Sequence, residues 1–254
     1  MSLKSCGSIV LVIAGLLLPP AAPGADLIVR EDFEEGPSWR YASRWNMEQY
    51  LSDRWTIVST EKHGGSYAAE SKQPGDPSWV ADSVFCKTLP TDADAIFIRF
   101  WYKAGPKQNN CGFQFMRLTA VSGSDEIEIG NGHPCGRTSK CHCYSPEQSV
   151  QVRNGWKDPT RATEWTEFAV YIDYAQNRMI YWRNPKKYTK RDRSAVEVSF
   201  KFGKKYNRVI LGAYYKNWKP AAGRDGWTFW MDDIEVWSGI PESLEGPEDS
   251  EQKG

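Results

Sequence analysis

The chain has 254 residues, with 32 basic and 32 acidic side chains and a formal charge of zero. That balance argues against nucleic acid as a partner. Twelve Trp, twelve Tyr and ten Phe suit pleated sheets and a large core, and exposed rings of this kind also stack on sugars.

Lys4 precedes an apolar run from Ile9 to Leu18, and Pro19, Pro20 and small residues up to Ala25 follow it. This is the layout of a secretory signal peptide over residues 1–25, too short to span a bilayer. No second apolar run long enough to anchor the chain follows, so no membrane span is expected. Loss of Lys4 with the leader leaves 31 basic against 32 acidic residues. Residues 26–241 then read as one domain, because no Pro/Ser/Gly linker divides them and no internal repeat appears. Residues 242–254 are acidic and aperiodic, and are expected to be a disordered tail.

The spacing predicts strands over Leu27–Phe33, Trp55–Thr60, Tyr67–Ser71 and Val80–Cys86. In Ala95–Lys103, Ile96, Ile98, Phe100 and Tyr102 alternate with Phe97, Arg99, Trp101 and Lys103, a period of two with one buried face. Strands over Gly112–Thr119 and Glu126–Ile129 follow. Of six cysteines Cys6 leaves with the leader, and Cys86, Cys111, Cys135, Cys141 and Cys143 remain, so at least one thiol is free or pairs with another molecule. An exported chain permits disulfides, and residues Gly130 to Tyr144 read as a long loop pinned by one or two of them. Zinc held by Cys135, Cys141, His142 and Cys143 is the alternative, though the spacing is not that of paired ligand knuckles.

Glu167–Tyr174 and Arg178–Arg183 alternate on either side of Ala175-Gln176-Asn177 and form a hairpin. Trp182 shares a face with Ile180 and is expected in the core, while Tyr181 and Arg183 face the other way. Strands over Ser194–Phe202, Arg208–Lys216 and Gly226–Trp237 complete the series. No stretch keeps a helical period. A dozen short strands between Gly, Pro, Asn and Asp turns predict an all-β, two-sheet antiparallel sandwich. From Arg178 to Arg208, eleven basic residues face only Asp192 and Glu197. Such an excess attracts polyanions, which outside a cell are uronate or sulfated polysaccharides and acidic surfaces.

Three segments carry a family resemblance. Glu31-Asp32-Phe33-Glu34-Glu35-Gly36 near the start, the turn Lys62-His63-Gly64-Gly65-Ser66-Tyr67-Ala68, and the end Met231-Asp232-Asp233-Ile234-Glu235-Val236 resemble landmarks of secreted, concanavalin-like jelly-roll carbohydrate modules. They bracket most of the exported chain. The resemblance implies a jelly roll and a structural calcium ion held by Glu34 with Asp232 or Asp233, whose hard oxygens suit it. Taken alone, alternation groups Asp232 with Ile234 and Val236 and sets Asp233 opposite. No organic cofactor is implied.

Tyr214-Tyr215-Lys216 is similar to a late-strand element of jelly-roll polysaccharide lyases, in which Tyr is a catalytic acid or base. The R-x-E-L and Q-I/V-H strands of that group are missing, and Phe115-Met116-Arg117-Leu118 supplies only an Arg. Elimination on a uronate polymer needs a cation on the carboxylate, a base for the C5 proton and an acid for the leaving oxygen. Arg117, Tyr214 and the loop residue His133 are the candidates. Without catalysis, Trp101 and Tyr181 would stack on sugar rings, and Arg99, Lys103, Arg183 and Lys216 would pair with anionic groups. Glu126 and Glu128 faintly resemble a glucanase carboxylate pair. The expected function is binding of an acidic polysaccharide. A lyase is the alternative, ahead of a glycoside hydrolase or a structural envelope module.

Overall fold

The computed structural model describes residues 25–39, 45, 55–73, 83–90, 92–105, 114–119, 126–130, 142–145, 150–153, 164–188, 190–199, 205, 208–214, 227–241 and 244. Their strands are β1 (Leu27–Glu31), β2 (Trp55–Val58), β3 (Ala68–Gln73), β4 (Ser83–Thr88), β5 (Ala95–Ala104), β6 (Gln114–Thr119) and β7 (Glu126–Gly130). They continue with β8 (His142–Ser145), β9 (Val150–Arg153), β10 (Thr166–Asp173), β11 (Arg178–Arg183), β12 (Val196–Ser199), β13 (Arg208–Tyr214) and β14 (Trp227–Trp237). One 3-10 turn, Gly36–Ser38, is the sole helical element among the described residues. None of their helices is long and apolar enough to cross a membrane.

All pairings are antiparallel and form two sheets. The larger has eight strands, ordered β12-β11-β10-β5-β14-β3-β2, with β1 also on β14; the smaller runs β4-β13-β6-β7-β8-β9. The long β14 serves two neighbours on one side, because Trp227 to Met231 pair with β3 and Ile234 to Trp237 pair with β1. The all-β sandwich expected from the strand count is what the chain forms.

Alternation explains the core. Ile96, Ile98, Phe100 and Tyr102 of β5 meet Phe168, Val170 and Ile172 of β10, and from the smaller sheet Phe85, Val209 and Leu211. On the far face of the larger sheet, Phe97, Ala169, Ile180 and Trp182 form a second buried cluster, with Tyr188, Trp237, Ile240 and Leu244 packed over it. Trp182 is therefore buried with Ile180 as expected, but against the outer layer. Leu244, assigned to the tail by composition, packs on this cluster; the leader lies outside the described residues.

The region read as one loop from Gly130 to Tyr144 contains a strand. β8 begins at His142 and pairs with both β7 and β9. Its run of His-Cys-Tyr-Ser has no apolar alternation to announce it.

Candidate functional site

The outward positions of β5 are matched from within the fold. Arg99 Nε donates to Glu235 Oε2 at 2.7 Å, and Arg30 donates to Oε1 through Nε at 3.0 Å and Nη2 at 2.7 Å. Trp237 Nε1 adds a bond to Glu235 Oε2 at 3.1 Å. Burial would raise the Glu235 carboxyl, but Arg99, then Arg30 and Trp237, outweigh it and hold it below the usual range. Lys103 Nζ reaches Glu61 Oε2 at 2.7 Å with only 19% of its side chain exposed. Arg99 and Lys103, expected to receive anionic sugars, thus spend their charge on Glu235 and Glu61.

Tyr181 needs a like correction. It is fully buried in the inter-sheet core and stands 6.3 Å from Phe168, with no open face for a sugar. Both faces of β11 are covered, so alternation alone does not reveal an exposed one. Arg183 is half-buried opposite Phe168 in the register. Trp101 is half-buried and stacked on His63, with ring centroids 3.5 Å apart and planes at 13°. Trp165 lies edge-on to the same His63.

A buried carboxyl that the sequence reading overlooked sits beside Arg99. Glu167 accepts a short hydrogen bond from Tyr188 Oη, and Arg99 Nη1 approaches the same Oη at 3.4 Å. Burial raises the Glu167 carboxyl, and the Tyr188 hydrogen bond and Arg99 offset it only in part. A group raised on folding stabilises the fold fully below its unfolded pKa, and that contribution is lost as pH rises through the folded value. Glu235, held low, has the opposite sense and loses its contribution in acid. Glu167→Gln removes only the first loss. Its stability relative to the parent is expected to improve as pH climbs from 4.5 to neutrality, read by denaturant unfolding; a difference independent of pH would refute this.

The first strand, the Gly turn and the last strand meet as the resemblance implied. Glu34 Oε1 accepts from the amides of Ser66 at 2.8 Å and Tyr67 at 3.1 Å, and these bonds hold its carboxyl low. Asp232 Oδ2 accepts from the amides of His63 at 2.9 Å and Gly64 at 3.4 Å. Asp233 Oδ2 lies 2.7 Å from His63 Nδ1. Burial pushes the Asp232 carboxyl up to about 6 against the His63 amide, with Asp233 adding repulsion. Gly65 has φ of +50°, and a Cβ there would stand 2.2 Å from Glu34 Oε1, so a side chain would be strained and would displace the Glu34 carboxylate.

Asp233 itself has φ of +46°, and the β14–β5 register shifts between Asp232 and Glu235. This bulge corrects the alternation read from Ile234 and Val236. Met231 and Ile234 both enter the core, while Asp232 pairs with Trp101 on the outer face. Carboxylate oxygens suit calcium. Among the described residues, however, no three or more His, Cys, Asp or Glu are grouped to hold a metal ion. The turn is tied by hydrogen bonds.

Two of the lyase candidates, Arg117 on β6 and Tyr214 on β13, fall on the other sheet. β13 pairs with β6, and β6 with β7. Tyr214 stands opposite Gln114, Gln114 opposite Gly130, Gly130 opposite His142, and His142 opposite Arg153. A second row joins Ile210, Arg117, Glu128, Tyr144 and Gln151. His133 and Lys216 lie outside the described residues, as do Cys111, Cys135 and Cys141. Cys86 is a β4 position and Cys143 a β8 position. Glu128, Gln114 and Arg153 were not foreseen as neighbours of these candidates, because register is not readable from a single strand.

No protein-family model matches the sequence, and no curated protein matches it. Solved structures do. A variant of the alginate lyase Aly36B in complex with alginate tetrasaccharide matches 89% of this chain and 100% of its own at 10% identity, with a TM-score of 0.58. "Cellulose induced protein, Cip1" matches 83% and 97% at 16% identity, with a TM-score of 0.56. The endo-beta-1,4-glucuronan lyase of Trichoderma reesei matches 75% and 88% at 13% identity, with a TM-score of 0.53. The fold is the jelly roll. At these identities the likeness is one of architecture, and function rests on the site.

Proposed function

We propose that this chain is an exported jelly-roll protein that binds an anionic polysaccharide, uronate-bearing or sulfated, across its six-stranded sheet. The observation that carries this reading is the contrast between the two sheets. The outer face of the larger one is built over by Tyr188, Ile240 and Leu244, and Arg99 and Lys103 of its strand β5 are neutralised by Glu235 and Glu61. The smaller one aligns Tyr214, Gln114, His142 and Arg153 in one row and Arg117, Glu128, Tyr144 and Gln151 in the other. A long polymer crossing the strands would meet the cations Arg117 and Arg153 among hydroxyl, amide and imidazole residues, with Glu128 the one acid of the two rows. The solved relatives named as alginate and glucuronan lyases support a uronate polymer.

Cleavage by β-elimination is the second reading. It is favoured by the register, which ends β7 at Gly130, in line with Tyr214, at the point where the segment bearing His133 begins. In this reading Arg117 neutralises the uronate carboxylate, and His133 or Tyr214 removes the C5 proton. The electron pair forms the C4–C5 double bond, the C4–O bond breaks, and the leaving oxygen takes a proton from the other of the two.

The test incubates purified protein with alginate, glucuronan, pectate, heparin and chondroitin sulfate, following ultraviolet absorbance and retention on each polymer. Retention without absorbance supports binding. Rising absorbance supports elimination, and Tyr214→Phe is then expected to lower the rate about 10²–10⁴-fold. Neither signal on any polymer overturns both readings. Calcium at the Gly turn is a further part of this proposal, with Glu34 and either Asp232 or Asp233 supplying carboxylate oxygens. A chelator that lowers Tm supports it, and an unchanged Tm leaves the hydrogen bonds as the turn's ties.

A further inference from the structure

Among the described ones of the eleven basic residues from Arg178 to Arg208, several are already paired. Arg178 pairs with Asp173, Lys190 with Glu197 and Lys205 with Asp94. Arg183 and Arg191 are also engaged. Lys186, Lys187 and Arg193 are exposed, and no ion pair ties them to another described residue.

These three stand on one folded strap, described over residues 184–188 and 190–195, that lies between β11 and β12 over the outer face of the larger sheet. Its base is fixed. Asn184 donates its amide to the Glu167 carbonyl at 2.9 Å and accepts the Glu167 amide on Oδ1 at 2.7 Å. The Tyr188 ring lies edge-on to Phe97 at 5.2 Å and to Trp182 at 5.9 Å. The crest is folded around Asp192. Its Oδ2 accepts from the amides of Lys186 at 2.9 Å and Lys187 at 3.1 Å, and its Oδ1 from the amide and hydroxyl of Ser194 at 2.8 and 2.7 Å.

Two consequences follow. The carboxylate draws Lys186 and Lys187 next to Arg193, although six or seven positions separate them in sequence. It also turns the strap's sole acid inward, onto four donors that consume its oxygens. A rigid knuckle with outward cations and inward anion loses little entropy when it meets a polyanion.

We propose that this knuckle is a docking site for an extended anionic polysaccharide, separate from the six-stranded sheet. The polymer class rests on the function proposed above; the site itself rests on the strap's geometry.

The experiment measures Kd against NaCl on immobilised alginate, which offers carboxylates, and on dextran sulfate, which offers sulfates. Phosphatidylserine vesicles form a third arm. The full chain is compared with a Lys186→Gln, Lys187→Gln, Arg193→Gln triple variant and with Asp192→Ala, each checked for unchanged circular dichroism. The triple variant is expected to bind at least one polymer more weakly, with the log–log salt slope flatter by about 0.7 per cation removed. Asp192→Ala is the sharper arm. It makes the protein more positive, so a diffuse field predicts tighter binding, whereas loss of the knuckle predicts weaker binding. Unchanged slopes in the triple variant, tighter binding by Asp192→Ala, or capture by vesicles alone would each overturn the proposal. Absence of unsaturated product in the absorbance assay would remove the lyase reading and leave the docking result intact.

Discussion

Phe85→Ala is expected to destabilise the fold by about 4 kcal/mol, lowering Tm by roughly 10 °C. Phe85 is fully buried on β4 of the smaller sheet, and its aromatic partners come from elsewhere. Trp55 of β2 stacks on it at 4.3 Å, Trp45 lies at 5.0 Å, Phe33 at 5.6 Å and Trp39 edge-on at 6.1 Å. Truncation leaves a void bordered by four rigid rings that have no shared way to collapse into it, which puts the cost at the upper part of the usual range. Phe85→Leu keeps most of the volume and is expected to cost less than half as much. Equal losses in the two variants, measured by reversible denaturant unfolding, would show that the cluster relaxes and that the sandwich is held together elsewhere.

The aromatic cluster illustrates what a sequence can disclose. The β5 alternation, with Ile96, Ile98, Phe100 and Tyr102 on one face, is a local property of the strand, so it identified the core side correctly. β10 and β11 followed from the same period and from the short turn between them. Register and pairing are not local. That Glu235 would lie against Arg99, or that Gln114 would join Tyr214 to Gly130, depends on how residues from 16 to 136 positions apart align. Two errors have the same origin. Tyr181 was assigned outward because Trp182 was assigned inward, yet the strap between β11 and β12 buries the second face as well. Asp233 was set opposite Asp232 by simple alternation, and one residue with positive φ broke the count. The Gly turn was legible through resemblance, and the structure shows that a side chain at Gly65 would meet the Glu34 carboxylate. Its partners Glu34 and Asp232 were legible only through resemblance.

Glu235→Gln is expected to cost about 3 kcal/mol, although it alters a single atom. The parent carboxylate is almost fully buried and accepts from Arg30, Arg99 and Trp237. The Arg30 side chain is 56% exposed, so its bond contributes little. Arg99 is different, at 26% exposure and with Tyr188 Oη as its other neighbour. An amide at position 235 leaves its guanidinium half-buried with only the more distant Glu167, on the other side of Tyr188 Oη, as a counter-charge. It also turns a donor toward at least one of three donors. Replacing both partners, Arg99→Leu with Glu235→Leu, removes the uncompensated charge together with its desolvation cost. The double variant is therefore expected to be more stable than Glu235→Gln alone, and to lose less than the sum of the single variants Arg99→Leu and Glu235→Leu, a large favourable coupling energy in that cycle. The same pair separates structure from binding. If Arg99 serves the fold, the double variant retains the parent's affinity for alginate and dextran sulfate. A double variant that folds with the parent's Tm but releases both polymers would return Arg99 to the role of anion receptor and open the outer face of the larger sheet as a binding surface.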